Sequence, residues 1–185
     1  EKDWGMTPLQ VPSAAKDPLY SFWYSYHKEV DEKTVEEKAR WAKDLGFDIC
    51  IVDDGWMADE VVHGYFKCGD WMPAPSKITD MAAHVKRVQD MGMKYILWYA
   101  VPLMGHESMY YDQFKDMLLR DEPHLHASIL DPRYKEAREF MINTYRKALL
   151  EWNLDGFKLD FVDTWQDNVR NAPYNEKMDI PALQD

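Results

Sequence analysis

The sequence predicts an α/β fold, a (β/α)8 TIM barrel of which residues 21–185 supply about the first four strand-helix units, after an extended lead-in at 1–20. Three observations point there. The segments "KDLGFDICIV", "QDMGMKYILW" and "WNLDGFKLDF" repeat one junction, in which a helix end, a tight glycine turn and a buried strand follow each other. An open nucleotide-binding sheet usually carries a glycine-rich turn after its first strand, and "SFWYSYHKEV" has no glycine. The strands also end in aromatic or polar residues: Tyr24 and Tyr26; Asp53, Asp54 and Trp56; Trp98; and Lys158 with Asp160. A barrel collects its chemistry at that C-terminal rim. A full barrel takes ~250 residues, so a chain of this length is read as its first half.

Taken in order, Pro8, Pro12 and Pro18 punctuate the lead-in, and the aromatic run "SFWYSY" (21–26) is the expected first strand. A helix at 31–46 places Val35, Ala39, Ala42 and Leu45 on one side and stops at Gly46, before the strand "FDICIV". The helix at 78–92 turns Ile78, Met81, Ala82, Val85 and Val88 inward and ends at Gly92, before "MKYILWYAV". A third helix at 134–152 does the same with Ala137, Phe140, Met141, Tyr145, Ala148 and Leu149, leading into a strand at 156–162. A further helix is expected at 108–120 and a short extra strand at 128–132, while the tail reads as a long loop.

Bulk composition narrows the function classes. A core is affordable at 46% hydrophobic and 14% aromatic residues, and 33 acidic against 22 basic residues give a net charge of −11, which repels nucleic acid. Cys50 and Cys68 lack zinc-site spacing and are read as small buried residues rather than a bridge. No apolar run approaches the ~20 residues that cross a bilayer, so no membrane partner is expected. A chain opening on "EKDWG" reads as a processed or excised piece. The histidines form no helical metal motif, and His124 and His126 are read as loop residues; no cofactor or metal is expected.

What remains is carboxylates and aromatics. In "GFKLDFV" the alternation leaves Lys158 and Asp160 on one face, roughly 6.6 Å apart at ~3.3 Å per residue, where the cation favours an ionised carboxylate. Such a group suits an attacking nucleophile or an electrostatic partner for a developing cation, or equally a buried ion pair that closes the barrel. Asp53 and Asp54 in "VDDGW" could accept hydrogen bonds from adjacent hydroxyls of a polyol, or could form an Asp-Gly turn that caps a helix. Trp56, Trp71 and Trp98 could stack on sugar rings or pack the core, and Asp70 in "CGDW" could serve the site or only its loop.

Assembled in this order, "VDDGW", "GDW", the "LW" of the third strand and the Lys-x-Asp of "FKLD" resemble the retaining α-galactosidases of glycoside hydrolase family 36, and more distantly families 27 and 31. The match runs from about Phe22 to Val162. The resemblance implies that Asp160 is the nucleophile of a covalent glycosyl-enzyme and that Lys158 bonds sugar hydroxyls beside it. It implies that Asp53 and Asp54 hold the galactose 4- and 6-hydroxyls and that Trp98 walls the pocket, with Trp56, Asp70 and Trp71 as further substrate contacts. Two departures stand out: Val162 occupies a position where the family commonly has asparagine, and "YAVPLMG" follows Trp98 where a Glu-Pro-Glu pattern is common.

The family's acid/base comes from a later strand; Asp163 and Asp167 are poor substitutes, so this piece alone is expected to be inactive. Its expected partner is an oligosaccharide or glycoside. The alternatives are a non-catalytic carbohydrate-binding or structural remnant, and a raffinose-synthase-like α-galactosyl transglycosylase. Open sheet edges predict a homo-oligomer, element swapping or aggregation unless other segments cover them.

Overall fold

A computed structural model describes residues 10–59, 64–166 and 170–181. Residues 1–9 of the lead-in, together with His63 and Asp167, lie outside the described residues. The centre is a parallel sheet of four strands in chain order, β1 (Leu19–Ser21), β2 (Ile49–Val52), β3 (Lys94–Tyr99) and β7 (Gly156–Leu159). Between the strands run α2 (Glu32–Asp44), α3 (Met81–Gln89) and α5 (Lys135–Trp152). Asp31 and Asp80 start the first two of these by accepting the Thr34 and Ala83 amides at 2.7 and 3.0 Å, caps worth about 1 kcal/mol each. Gly46 and Gly92, at φ 93° and 80°, and left-handed Asn153 reverse the chain after the helices, as the repeated junctions predict.

Register fixes two faces. Parallel pairing sets Val52 beside Leu97 and Leu97 beside Phe157, and this face meets the helices, with Phe157 packing edgewise on Tyr99 and at a tilt on Tyr145 of α5. The other face carries Ile51 and Ile96, both half-buried, and Trp98 beside Lys158. The reactive residues thus share the face turned away from the helices.

Several expectations are corrected. The first strand ends at Ser21; Phe22 enters the core, and Trp23–Tyr26 is a single helical turn, α1, closed by the Tyr26 amide on the Phe22 carbonyl. Tyr24 is 84% exposed, so aromatic content here marked a turn rather than a rim. Leu45, Ala82 and Leu149 face solvent, and His84 takes the inward place. The helix expected at 108–120 is only α4 (Tyr111–Phe114) and a 3-10 turn before a strand, β5 (Leu118–Glu122). With β4 (Leu103–Gly105) and β6 (Ala127–Leu130) it forms a second, antiparallel sheet in the order β4-β6-β5, into which the expected 128–132 strand falls. The last parallel strand stops at Leu159, because Phe161 turns left-handed at φ 58°. Cys50 and Cys68 are buried and unbridged.

Fully buried His84 links α2, α3 and β3: Nδ1 lies 2.8 Å from Glu36 Oε1 and Nε2 3.1 Å from the Tyr95 hydroxyl. Burial, against the pull of Glu36, holds its imidazole below the ordinary 6.5. The unfolded chain therefore takes up a proton that the folded chain resists, so stability is complete above pH 6.5 and declines as the pH falls through and below it. Urea midpoints at about pH 7 and about pH 5 should differ, and by less in His84→Gln. An unchanged pH dependence in that variant would show that His84 takes no part.

Candidate active site

Three loops, following β1, β2 and β7, bring the charged groups together. Leaving β7, the Asp160 amide still bonds the Tyr99 carbonyl at 2.9 Å, so the residue is held at the strand's end. Its Oδ1 accepts the Phe161 amide at 3.0 Å and its Oδ2 the Trp98 indole N–H at 2.9 Å. Its side chain is 41% exposed. The carboxylate is therefore oriented by two donors and still reachable, which suits a nucleophile.

Lys158 lies 3.6 Å from Asp160 Oδ2, but its closer partner is Asp53 Oδ2 at 2.7 Å. Partial burial pulls the Lys158 ammonium down; the bond and charge of Asp53, with Asp160 behind it, outweigh that and leave it above the ordinary lysine value. Asp53 is nearly buried, and its Oδ1 accepts the amide of Asp54 at 2.9 Å. Asp54 is buried too, and burial, against the opposing charge of Lys28, raises its carboxyl above the ordinary range. Its Oδ2 faces Lys28 Nζ at 3.2 Å in an ion pair.

The sequence-predicted residues divide accordingly. Asp53, Asp54, Lys158, Asp160 and the Trp98 N–H meet in one cluster. Trp56 is fully buried, donates to the Trp98 carbonyl at 3.0 Å, and packs against Trp71, Tyr99 and Trp152, which is its core-packing alternative. Trp71 is 4% exposed within the same aromatic layer. Asp70 Oδ1 accepts the Ser108 hydroxyl and the Met109 amide at 2.7 and 2.9 Å, so it holds a loop. Asp163 is exposed on the 3-10 turn after Phe161.

Three residues escape sequence reasoning. Lys28 donates to the Gly64 carbonyl at 2.6 Å and lies 5.0 Å from the Tyr65 ring centroid. Tyr65 stacks on Trp98 and meets Phe161 edgewise. Lys77, 9% exposed, donates to the carbonyls of Lys28 and Gly55. All three sit in loops without periodicity; the density of aromatics and lysines around "HKE" and "YFK" could have drawn notice to Lys28 and Tyr65, while nothing around "PSK" marks Lys77. Among the described residues the metal-type grouping is Glu32, Glu36 and His84; Arg87 bonds both glutamates and Tyr95 holds the histidine, so it knits helices.

With this geometry in view, the chain was compared with known proteins. Residues 13–180 match the Melibiase family model. "Alpha-galactosidase Mel36A" of Lactobacillus acidophilus is 25% identical over 172 residues, covering 90% of this chain and 22% of the relative. The crystal structure of the alpha-galactosidase from Lactobacillus brevis superposes with a TM-score of 0.73 at 24% identity, over 78% of this chain and 20% of that one. GH36 alpha-galactosidase AgaA A355E D548N from Geobacillus stearothermophilus, in complex with raffinose, gives 0.72 at 20% identity, over 78% and 21%. The chain thus spans about a fifth of the length of the relatives it matches.

Removing Lys158 leaves Asp53 nearly buried and without its closest cation. Since the Lys158 side chain is 37% exposed, Lys158→Met should destabilise by about 1–2 kcal/mol, below the roughly 3–5 of a fully buried pair. Adding Asp53→Asn should recover most of that loss in a denaturant-unfolding cycle; additive losses would mean the two side chains do not couple.

Proposed function

Because this chain belongs to the Melibiase family, we propose that it forms the sugar-binding part of a (β/α)8-barrel α-galactosidase that works with retention through Asp160. One observation carries the reading: the Asp160 carboxylate is aimed by the Trp98 and Phe161 N–H groups and stands beside a lysine that also holds Asp53. The open face of the sheet then becomes the inside of the barrel. Leu159, Leu150 and the free edge of β7 are where further barrel elements pack.

In the first step an Asp160 oxygen attacks the anomeric carbon of a terminal α-galactoside as the glycosidic C–O bond breaks, and the departing oxygen takes a proton from a carboxylic acid. In the second, that carboxylate deprotonates a water, whose oxygen displaces Asp160 from the same carbon. Two inversions give retention. Before attack, Asp160 shares the Trp98 N–H and the nearby Lys158 charge, which hold its charge in place. Asp53 and Asp54 accept from sugar hydroxyls, and ionised carboxylates offer two acceptor oxygens each.

The proton donor is assigned to residues outside the 185 of this chain. Asp53 is committed to Lys158, Asp54 faces Lys28, and Asp163 is exposed beyond the strand end. Residues 1–185 alone should release no galactose from an unactivated α-galactoside; release at the rate of the full-length protein would overturn that assignment.

The decisive experiment uses a fluorinated galactosyl fluoride, whose leaving group needs no proton. Incubated with the full-length protein, it should add one sugar residue to the peptide holding Asp160, seen by mass spectrometry, and nothing to Asp160→Asn. No adduct, with galactose still bound, would favour a carbohydrate-binding protein without catalysis.

A further inference from the structure

Resting on the reading that Asp54 holds substrate hydroxyls, we infer that Lys77 is a positioning residue, touching no sugar itself, that sets the Asp54 end of the pocket by clamping the loops after β1 and β2 together. Its ammonium, buried near the floor of those loops, donates to the Lys28 carbonyl at 2.7 Å and to the Gly55 carbonyl at 2.6 Å. Two of the three donors of a lysine are thus spent on backbone oxygens of different loops. The segment carrying Lys77 is itself fixed, because the Ala74 amide bonds the Trp56 carbonyl at 3.0 Å, the Lys77 amide bonds Ala74 at 2.9 Å, and the Glu32 amide bonds the Lys77 carbonyl at 2.9 Å.

The loops it joins have no slack. Gly55 adopts φ +106°, and a Cβ there would lie 2.5 Å from Lys28 Cα, so the "VDDGW" turn presses directly on the Lys28 backbone. Asp54 precedes that glycine, and its ion-pair partner is the side chain of the same Lys28. Moving the Lys28 backbone by a few tenths of an ångström therefore moves the cation relative to the carboxylate it faces. The titratable groups around Asp54 are Lys28, Asp53, Lys77, Tyr65 and Cys68. Burial already raises the Asp54 carboxyl and Lys28 opposes it. A displaced Lys28 lets it rise further, so as the pH falls the carboxylate takes its proton, and loses its hydroxyl contacts, at a higher pH.

The test measures D-galactose binding by titration calorimetry on the full-length protein from alkaline to acid pH. Lys77→Met should bind at least tenfold more weakly at neutral pH, with the acid limb of its binding profile moved to higher pH, and Lys77→Arg should restore the limb. Lys86→Met, removing a lysine that is 71% exposed and paired with Asp90, should match the unaltered protein. A merely structural role would lower the fraction of protein that binds and leave the limb where it was; that result, or Lys77→Met binding within twofold of the unaltered protein, would overturn the inference. Should Lys77→Met not fold, Lys77→Gln, whose shorter side chain cannot reach both the Lys28 and the Gly55 carbonyl, must show the same displaced limb or the inference falls. If the unaltered protein binds no galactose at any pH, the sugar-site reading fails and takes the inference with it.

Discussion

The site depends on one ion pair that crosses a strand. Lys158 leaves β7 and Asp53 follows β2, with β3 lying between them in the sheet, yet Nζ and Oδ2 are 2.7 Å apart. This requires that β2, β3 and β7 be parallel and level, which the pairing of Val52 with Leu97 and of Trp98 with Lys158 provides. A slip of one residue would turn Lys158 to the helix side, where Leu159 and Phe157 now point. The apolar face and the charged face are therefore one constraint: packing Phe157 on Tyr99 and Tyr145 fixes the register that lets Lys158 reach Asp53.

Charge is concentrated on that open face with its own compensation. Asp53, Asp54 and Asp160 would repel one another if left bare, and Lys158 and Lys28 sit among them. The two cations differ in kind. Lys158 is partly exposed and lies between two carboxylates; Lys28 is more buried, bonds a backbone carbonyl and lies over the Tyr65 ring. Burial pushes Asp54 toward its neutral form while Lys28 resists.

Legibility followed periodicity. The three long helices, the strands that follow them and the acid at the end of β7 were readable, since burial imposes a 3.6- or 2-residue period and glycine marks the turns. The first strand is displaced because Phe22, Trp23 and Tyr24 are strand-like residues in a place where local i,i+4 contacts, Phe22 with Tyr26 and Trp23 with His27, close a helical turn. The small antiparallel sheet was missed because "SMYYDQFKDMLLR" has helical composition, yet its last third pairs with β6. Within the site, the motif residues split by the direction each side chain takes at a turn, which no spacing encodes: Asp53 and Asp54 reach the cluster, whereas Asp70 bends back to Ser108 and Trp56 sinks into the core.

The aromatic layer explains why the split runs as it does. Trp56, Trp71, Tyr99 and Trp152 form a continuous cluster of ring contacts beneath the loops, while Trp98, touched by Trp71 at the cluster's edge, is covered by Tyr65 and sends its N–H to Asp160. Trp98 and Tyr99 are adjacent on β3, so alternation sends one to the carboxylates and the other to the helices. The Trp56 N–H then closes on the Trp98 carbonyl, joining the core layer to the backbone that aims the catalytic candidate. Packing on the helix side thereby limits how far Asp160 can move: its amide hangs from the Tyr99 carbonyl and its Oδ2 from the Trp98 indole, two neighbours locked from opposite faces of the sheet.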